Sequence, residues 1–113
     1  MSINVSLLSR FRRDLKRLGK KHRTLVTEVD QLLDLLESDP TLGQSLGSGL
    51  YKIRLASQSK GKGKRGGFRV VTYYVEQVGD EEVVYLVTIY DKSEQDSVSK
   101  DDLLAMIDDA FGE

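Results

Sequence analysis

The sequence predicts an α+β fold in which helices cover an antiparallel sheet. Three observations support this prediction. Apolar residues first recur every three or four positions, which is the period of an amphipathic helix. From Leu50 they alternate every second position, which is the period of a strand. The length of 113 residues suits one domain, 1–113, with a single core. The predicted order is a short extended segment, two helices, three strands and a final helix.

Two helices near the N-terminus are predicted to form an antiparallel hairpin. The apolar residues of the first helix run from Leu8 to Leu18, and the helix is expected to end at or just after Gly19. The second begins near Leu25 and ends before Asp39-Pro40, because proline disfavours a helical conformation in the residue before it. The cations predicted on the solvent-facing side of the first helix are Arg12, Arg13, Lys16, Arg17 and Lys20.

Three strands and a last helix are predicted for the rest of the chain. The first strand starts at Leu50 and has a basic outer face, Lys52 and Arg54. Residues 68–78 and 82–90 are rich in β-branched and aromatic residues and are joined by a turn at Gly79-Asp80. Ser99 is the predicted N-cap of the last helix. The predicted apolar face of that helix consists of Leu103, Met106, Ile107 and Ala110.

The net charge of −1 hides a strong block pattern. Residues 1–24 and 50–69 each carry +7, whereas residues 25–49, 70–89 and 90–113 carry −5, −4 and −6. Either basic block alone would be typical of a solvated face. Two such blocks predict a basic surface for a polyanion, provided that the fold brings them together.

Cysteine and histidine usage excludes several kinds of site. The chain has no cysteine and one histidine, His22, which excludes disulfides, a thiol nucleophile and the usual zinc sites. We predict no metal and no cofactor. His22 lies in a run of cations and is expected to be exposed. No apolar run approaches the ~20 residues that span a bilayer, and no signal peptide is apparent, so we expect a cytoplasmic protein without a membrane partner.

The most unusual segment is 57–67, SQSKGKGKRGG. Its glycines permit positive φ, and it concentrates the cations Lys60, Lys62, Lys64 and Arg65. It lacks the spacing of a nucleotide-binding P-loop, and a strand follows it instead of a helix. A solvated hairpin loop and a phosphate-contacting loop therefore both remain open. The neighbouring residues Arg54, Arg69, Tyr90 and Lys92 favour phosphate contact if the strand order places them at one end of the sheet.

Two motifs resemble the HigB branch of the RelE/ParE superfamily of bacterial toxins. The first is KGKRGGFRV at 62–70, followed by two tyrosines, and the second is LVTIYDKSE at 86–94. Arg65 stands where serine is commoner, and the slightly acidic charge departs from many such toxins. The resemblance covers nearly the whole chain. It implies an antiparallel sheet with an N-terminal helical hairpin, ribosome-dependent cleavage of mRNA, and a cognate antitoxin.

A metal-independent reaction would place definite demands on this cationic cluster. RNA is cleaved when its own 2′-OH attacks the adjacent phosphate, and cations stabilise the charge that develops on the phosphate oxygens. Arg69 and then Arg54 are the leading candidates for that stabilisation, while Lys64, Lys92 and Tyr90 are candidates for proton transfer. The candidate RNA-binding residues are Lys52, Lys60, Lys62, Arg65, Arg13, Lys16, Arg17 and Lys20.

Two other functions remain open. One is a ParE-like toxin that inhibits gyrase and cleaves nothing. The other is a non-catalytic nucleic-acid-binding module, whose affinity would depend strongly on salt. The cluster of cations with one tyrosine favours a nuclease over either. No pair of carboxylates in a recognisable frame and no cofactor motif supports an enzyme acting on a small molecule.

Overall fold

A computed structural model describes residues 2–60, 67–95 and 97–112, and in them the chain forms three helices and five strands. The α+β class, the N-terminal helical hairpin and the C-terminal helix are confirmed. In chain order the elements are β1 (Ser2–Leu7), α1 (Ser9–Gly19), α2 (Leu25–Ser38), β2 (Gln44–Gly47), β3 (Leu50–Leu55), β4 (Phe68–Val78), β5 (Glu81–Asp91) and α3 (Lys100–Phe111).

The sheet has the order β1-β5-β4-β3-β2 and is antiparallel except at one edge. There β1 pairs with β5 in parallel, which differs from the predicted all-antiparallel sheet. Parallel strands need a long crossover connection, and the helices between β1 and β5 are part of one. The strand β2 was not predicted, because its four residues contain a single apolar side chain, Leu46, and therefore show no alternation.

Two apolar clusters lie on opposite faces of the sheet. The helical hairpin covers one face, where Phe11, Leu18 and Leu25 pack against strand residues such as Phe68 and Ile89. On the other face α3 packs through Leu103 and Ile107 against Leu50, Val71, Val87 and Tyr90. The predicted face of α3 is therefore confirmed at these two positions and at Met106, which packs against the same cluster. The prediction for Ala110 is wrong, because this residue is exposed at a cleft between α3 and the start of α1.

Helix α1 covers the part of β5 that β1 leaves unpaired. The pairing of β1 with β5 ends at Leu86, and α1 packs against β5. Here the buried hydroxyl of Thr88 donates to Asp14 Oδ2 at 2.8 Å. Asp14 is the single acid among the cations of the first basic block, and this hydrogen bond satisfies a polar group that would otherwise be costly to bury.

Local signals placed several element ends correctly. The helix α2 ends at Ser38, before the Asp39-Pro40 pair, as predicted. The Ser99 side chain accepts a hydrogen bond from the Asp102 N–H at 3.1 Å and caps α3. Gly79 occupies the β4–β5 turn with a φ of +64°. These features depend on residues close in sequence, which is why sequence patterns reveal them.

Alanine at Gly43 should destabilise the fold more than alanine at Gly79. Both glycines have positive φ, +104° and +64°, and an alanine there costs about 1–2 kcal/mol. A Cβ at Gly43 would also lie 2.5 Å from the carbonyl oxygen of Lys52, whereas nothing lies within 4 Å at Gly79. We expect Gly43→Ala to lose about 1–3 kcal/mol more than Gly79→Ala in urea unfolding. Equal losses would contradict the close approach of the chain to β3 at this point.

Candidate functional site

A row of three predicted catalytic residues crosses strands β3, β4 and β5 near the end of the sheet opposite the β4–β5 turn. Arg54 on β3 pairs with Arg69 on β4, and Arg69 pairs with Tyr90 on β5. Directly paired residues of antiparallel strands place their side chains on the same face, with Cβ atoms about 4.5–5.5 Å apart. The strand order β3-β4-β5 thus brings together Arg54, Arg69 and Tyr90, which the sequence alone could not do. We call these three residues the Arg-Arg-Tyr row.

An irregularity in β5 sets the membership of this row. Thr72 pairs with Leu86, whereas Val71 pairs with Thr88, so β5 contains one extra residue, Val87, at this point. Without it the register would continue to place Ile89, an apolar core residue, opposite Arg69. The bulge therefore places a tyrosine beside the arginine.

The members of the row differ in exposure. Arg54 is exposed, whereas Arg69 and Tyr90 each expose only 5% of their surface. Tyr90 packs in the cluster that α3 covers. The Arg69 guanidinium donates to the Phe68 carbonyl oxygen at 3.3 Å. Arg54 is consequently the member of the row that solvent reaches most directly.

The remaining predicted residues of the sheet lie beside this row or outside the described residues. Lys52 is half-buried two positions before Arg54 on the same strand. Lys92 is half-buried directly after β5, where its N–H donates to the Gly67 carbonyl oxygen at 3.2 Å. Lys62, Lys64 and Arg65 lie outside the described residues.

The predicted cations of α1 are exposed. These residues are Arg13, Lys16, Arg17 and Lys20. Glu94, in the turn after β5, lies 3.8 Å from the Arg17 guanidinium and 3.5 Å from Lys21 Nζ. Such exposed pairs contribute little stability, but they show where α1 lies. Both basic blocks therefore border the segment that follows Tyr90.

Asp91 is a buried carboxylate with a full set of donors. It exposes 3% of its surface, and both of its oxygens lie 2.9 Å from Lys60 Nζ. The N–H and hydroxyl of Ser93 also donate to Oδ1, at 2.9 and 2.8 Å. Burial alone would raise the pKa of Asp91, but the hydrogen bonds from Lys60 and Ser93 outweigh burial, and its pKa lies below the ordinary value of 3.8.

The prediction that His22 is exposed is wrong. It exposes 9% of its surface, and its ring meets the Phe68 ring edge-on with centroids 4.9 Å apart. Its Nε2 lies 3.7 Å from Asp91 Oδ2, and its Nδ1 lies 3.3 Å from the Ser59 hydroxyl. The turn between α1 and α2 folds back onto the end of β5, a long-range contact that composition does not reveal.

The structure also differs from the sequence prediction at Lys60, and it reveals a role for Asp91. Lys60, predicted to bind RNA, has a 14% exposed side chain, and its ammonium is bound by Asp91 inside the fold. The sequence patterns assign no role to Asp91. The signal that could have found it is an acid at the end of a long apolar strand, since a carboxylate buried there needs a cationic partner.

An apolar groove of about 700 Å³ runs between α2 and β3. Its floor contains Leu32, Leu42 and Ile53, and Leu35 at its side is 57% exposed. The polar residues that line the groove are Glu28, Gln31, Gln44, Lys52 and Arg54. Because β2 pairs with β3 only as far as Lys52, the outer edge of β3 beyond that residue has no strand partner in the described part of the chain. Arg54 thus belongs to both the groove and the row.

Neither a metal cluster nor a membrane-spanning helix occurs in the parts of the chain that the structure describes. No three His, Asp or Glu side chains of residues 2–60, 67–95 and 97–112 are grouped so that they could hold a metal ion. Among the same residues, no helix is both long and apolar enough to cross a bilayer.

Comparison with known proteins identifies the family. The model of the family described as the RelE toxin of the RelE/RelB toxin–antitoxin system matches residues 10–110. The chain belongs to the RelE toxin family. It is therefore the toxin of a toxin–antitoxin system, and family membership implies an antitoxin partner.

A solved structure agrees with this assignment at the level of the fold. The toxin is similar to an arginine-to-alanine mutant of the E. coli toxin RelE in the free state, with a TM-score of 0.55 and 16% sequence identity. The match covers 85% of this chain and 90% of that chain. At this identity the likeness concerns the fold alone.

The stability that ionised Asp91 contributes should disappear in acid. Since its folded pKa lies below 3.8, this stability is complete above that pH and is lost as the pH falls through the folded value. In urea unfolding, Asp91→Asn should therefore be less stable than the natural toxin at neutral pH, and the difference should shrink below pH 3.8.

Glu94→Gln is the matched control, because this acid is 41% exposed and pairs only at the surface. Its unfolding free energy should stay close to that of the natural toxin at every pH. An Asp91→Asn deficit that does not change with pH would contradict a buried ionised Asp91.

Proposed function

We propose that this toxin is an endoribonuclease that cleaves mRNA on the ribosome and so inhibits translation. The observation that carries the proposal is the Arg-Arg-Tyr row, with two arginines and a tyrosine side by side on one face of the sheet. Lys92 lies two residues after Tyr90, and Arg17 of α1 lies 3.8 Å from Glu94 in the same turn. Its place of action would be the cytoplasm, where ribosomes translate. The motifs at 62–70 and 86–94 support a HigB-like specialisation within the family.

The proposed reaction uses a nucleophile that RNA itself supplies. The 2′-OH attacks the adjacent phosphorus, a new P–O2′ bond forms, and the P–O5′ bond breaks. The products are a 2′,3′-cyclic phosphate and a free 5′-OH, so the step consumes no water. What the protein must add is positive charge next to the phosphate oxygens as charge accumulates on them.

The arginines of the row suit this charge stabilisation. A guanidinium presents paired donors that match two phosphate oxygens, and it keeps its charge at any physiological pH. Arg54 is exposed and would meet the phosphate first. Arg69 lies directly across the strand pair and would add its charge at close range.

Two proton transfers complete the reaction. The 2′-OH must lose a proton, and the leaving 5′-oxygen must gain one. Arginine cannot exchange protons in this pH range, so these roles fall to Tyr90, Lys92 and Lys64. Tyr90 belongs to the row, and Lys92 follows it directly after the end of β5.

Affinity for RNA would come from cations outside the row. Arg13, Lys16, Lys20 and Lys52 would contact phosphates, with Arg17 shared between RNA and Glu94. Lys62 and Arg65 complete this set. Each phosphate contact releases counterions, so binding should weaken as salt rises.

One observation favours a second function, a toxin of the ParE kind that inhibits gyrase. Arg69 and Tyr90 each expose only 5% of their surface, so solvent reaches little of either side chain. A toxin that acts by binding alone would not need them accessible. A DNA supercoiling assay separates this function from mRNA cleavage.

We also propose that the antitoxin binds in the groove between α2 and β3. The unpaired edge of β3 beyond Lys52 can accept an extended segment as an added strand. Leu35 and Leu42 would receive apolar side chains, and Lys52 and Arg54 would attract acidic ones. Because Arg54 also belongs to the row, an occupied groove would cover the accessible cation of the proposed site.

Arg54→Ala should abolish most mRNA cleavage without unfolding the toxin. Loss of one preorganised charge from a transition state costs about 100-fold or more in rate. The measurement is primer extension on a reporter mRNA in a translating extract. Lys100→Ala is the control, since this cation lies beside Gly47, next to the other end of β3, and should cut like the natural toxin.

A reporter with one 2′-deoxynucleotide at the cut site tests the chemistry separately. Cleavage there should stop, because the nucleophile is missing, while other sites continue to be cut. Continued cutting at the modified site would contradict 2′-OH attack. If the mRNA stays intact and the toxin inhibits gyrase in the DNA supercoiling assay, the toxin is a gyrase inhibitor and not a nuclease.

Leu35→Glu should weaken binding of the antitoxin by about tenfold or more, because it places a charge in an apolar contact. Val26→Glu is the matched control, since Val26 is 49% exposed on the same helix but does not line the groove. Titration of the cognate antitoxin, followed by calorimetry, measures both variants. Equal affinities for the two would place the antitoxin elsewhere.

A further inference from the structure

We infer that Asp91 is a positioning residue for Lys92: its buried carboxylate fixes the turn that carries Lys92, two residues after Tyr90 of the Arg-Arg-Tyr row. The consequence for catalysis rests on the proposed nuclease function, whereas the structural role of Asp91 does not. Nothing in the two sequence motifs assigns a role to this residue. The inference depends on the contacts of Asp91 with Lys60 and Ser93 and on the contact of Lys92 with Gly67.

The turn after β5 is held by both the side chain and the main chain of Asp91. Its Oδ1 accepts from the Ser93 N–H and hydroxyl, at 2.9 and 2.8 Å. Its carbonyl oxygen accepts from the N–H groups of Glu94 and Gln95, each at 3.0 Å. Lys92 lies inside this turn, and its own N–H donates to Gly67 at 3.2 Å. The backbone of Lys92 is therefore fixed on both sides.

Lys60 allows the Asp91 carboxylate to hold the turn after β5 while it is buried. A carboxylate without a cation at 3% exposure would carry a large desolvation cost. Lys60 Nζ lies 2.9 Å from both oxygens and 3.2 Å from the Ser93 hydroxyl. Asp91 can thus remain ionised, and it keeps two acceptor oxygens for the turn.

His22 closes the cluster from the side of the helical hairpin. Its Nε2 lies 3.7 Å from Asp91 Oδ2 and has no hydrogen-bond partner among the described residues. The carboxylate therefore contacts the segment after β3, the turn between α1 and α2, and its own turn. These contacts join three parts of the chain at the base of the site.

The geometry does not suit Asp91 as a catalytic acid or base. Successive residues of a strand point to opposite faces, so Asp91 points away from the face that holds Tyr90. Its oxygens are already occupied by Lys60 and Ser93. An effect of Asp91 on the reaction must therefore pass through the position of Lys92.

Three variants test the inference. Asp91→Ala removes the acceptors, Asp91→Asn keeps one carbonyl oxygen for the Ser93 N–H, and Ser93→Ala removes one donor at an exposed residue. Glu94→Gln again serves as the control. Thermal unfolding first shows which variants are folded, and NMR then measures hydrogen exchange of the Lys92 and Ile89 amides in the folded ones.

In Asp91→Ala the Lys92 amide should exchange about tenfold faster or more, while the Ile89 amide within β5 keeps its protection. Asp91→Asn should show a smaller effect, and Glu94→Gln none. If Asp91→Ala does not fold, Ser93→Ala decides, with faster exchange at Lys92 expected. Unchanged exchange of Lys92 in the folded variants would overturn the inference.

Cleavage kinetics in the translating extract test whether Asp91 affects catalysis. Asp91→Ala, or Ser93→Ala in its place, should lower kcat with little change in KM, because RNA affinity is spread over other cations. A change in KM alone would overturn the positioning role. If the natural toxin cuts no mRNA, the nuclease proposal fails, and the exchange experiment still decides whether Asp91 holds the turn.

Discussion

The antiparallel pairing of β4 with β5 is the constraint on which the rest of the molecule depends. It places Arg69 opposite Tyr90 and Phe68 opposite Asp91, and the other edge of β4 receives Arg54. A shift of one residue would exchange the two faces of a strand. The extra residue in β5 makes such a shift locally, so the apolar pattern near the hairpin turn and the Arg-Arg-Tyr row at the other end are both possible. One bulge thus reconciles a packed core with a polar site.

The acids of this toxin explain how so many cations coexist in a small domain. Asp14 accepts from Thr88 under α1, Asp91 binds Lys60, and Glu94 lies near Arg17 and Lys21. These three acids all border the end of β5, where both basic blocks converge. The inward-facing Lys60 is neutralised by Asp91, whereas the cations of α1 stay exposed and would be available to a polyanion. A net charge near zero is therefore compatible with a locally basic surface.

The sharing of Arg54 between the row and the groove connects the two proposed activities. RNA phosphate would bind this guanidinium on the face of the sheet, while an acidic segment of the antitoxin would bind it from the edge of β3. Both ligands are negatively charged, so each would compete with the other for one cation. Inhibition would then require no change in the fold of the toxin.

Local patterns in the sequence determined the helices, their ends and the hairpin turn. The apolar period predicted α1 and α2, Pro40 ended α2, Ser99 capped α3, and Gly79 supplied the turn. The exposed cations of α1 followed from the same period, because a helix that buries one stripe must expose the other. Each of these features depends on residues a few positions apart.

Only the tertiary structure decided which other parts of the chain each of those elements contacts. The parallel pairing of β1, the burial of His22, the inward position of Lys60 and the alignment of Arg69 with Tyr90 join residues far apart in the chain. Periodicity shows that a face is buried but does not show what buries it. The site could be predicted as a set of residue types, whereas its geometry arises from strand order, one bulge and one buried ion pair.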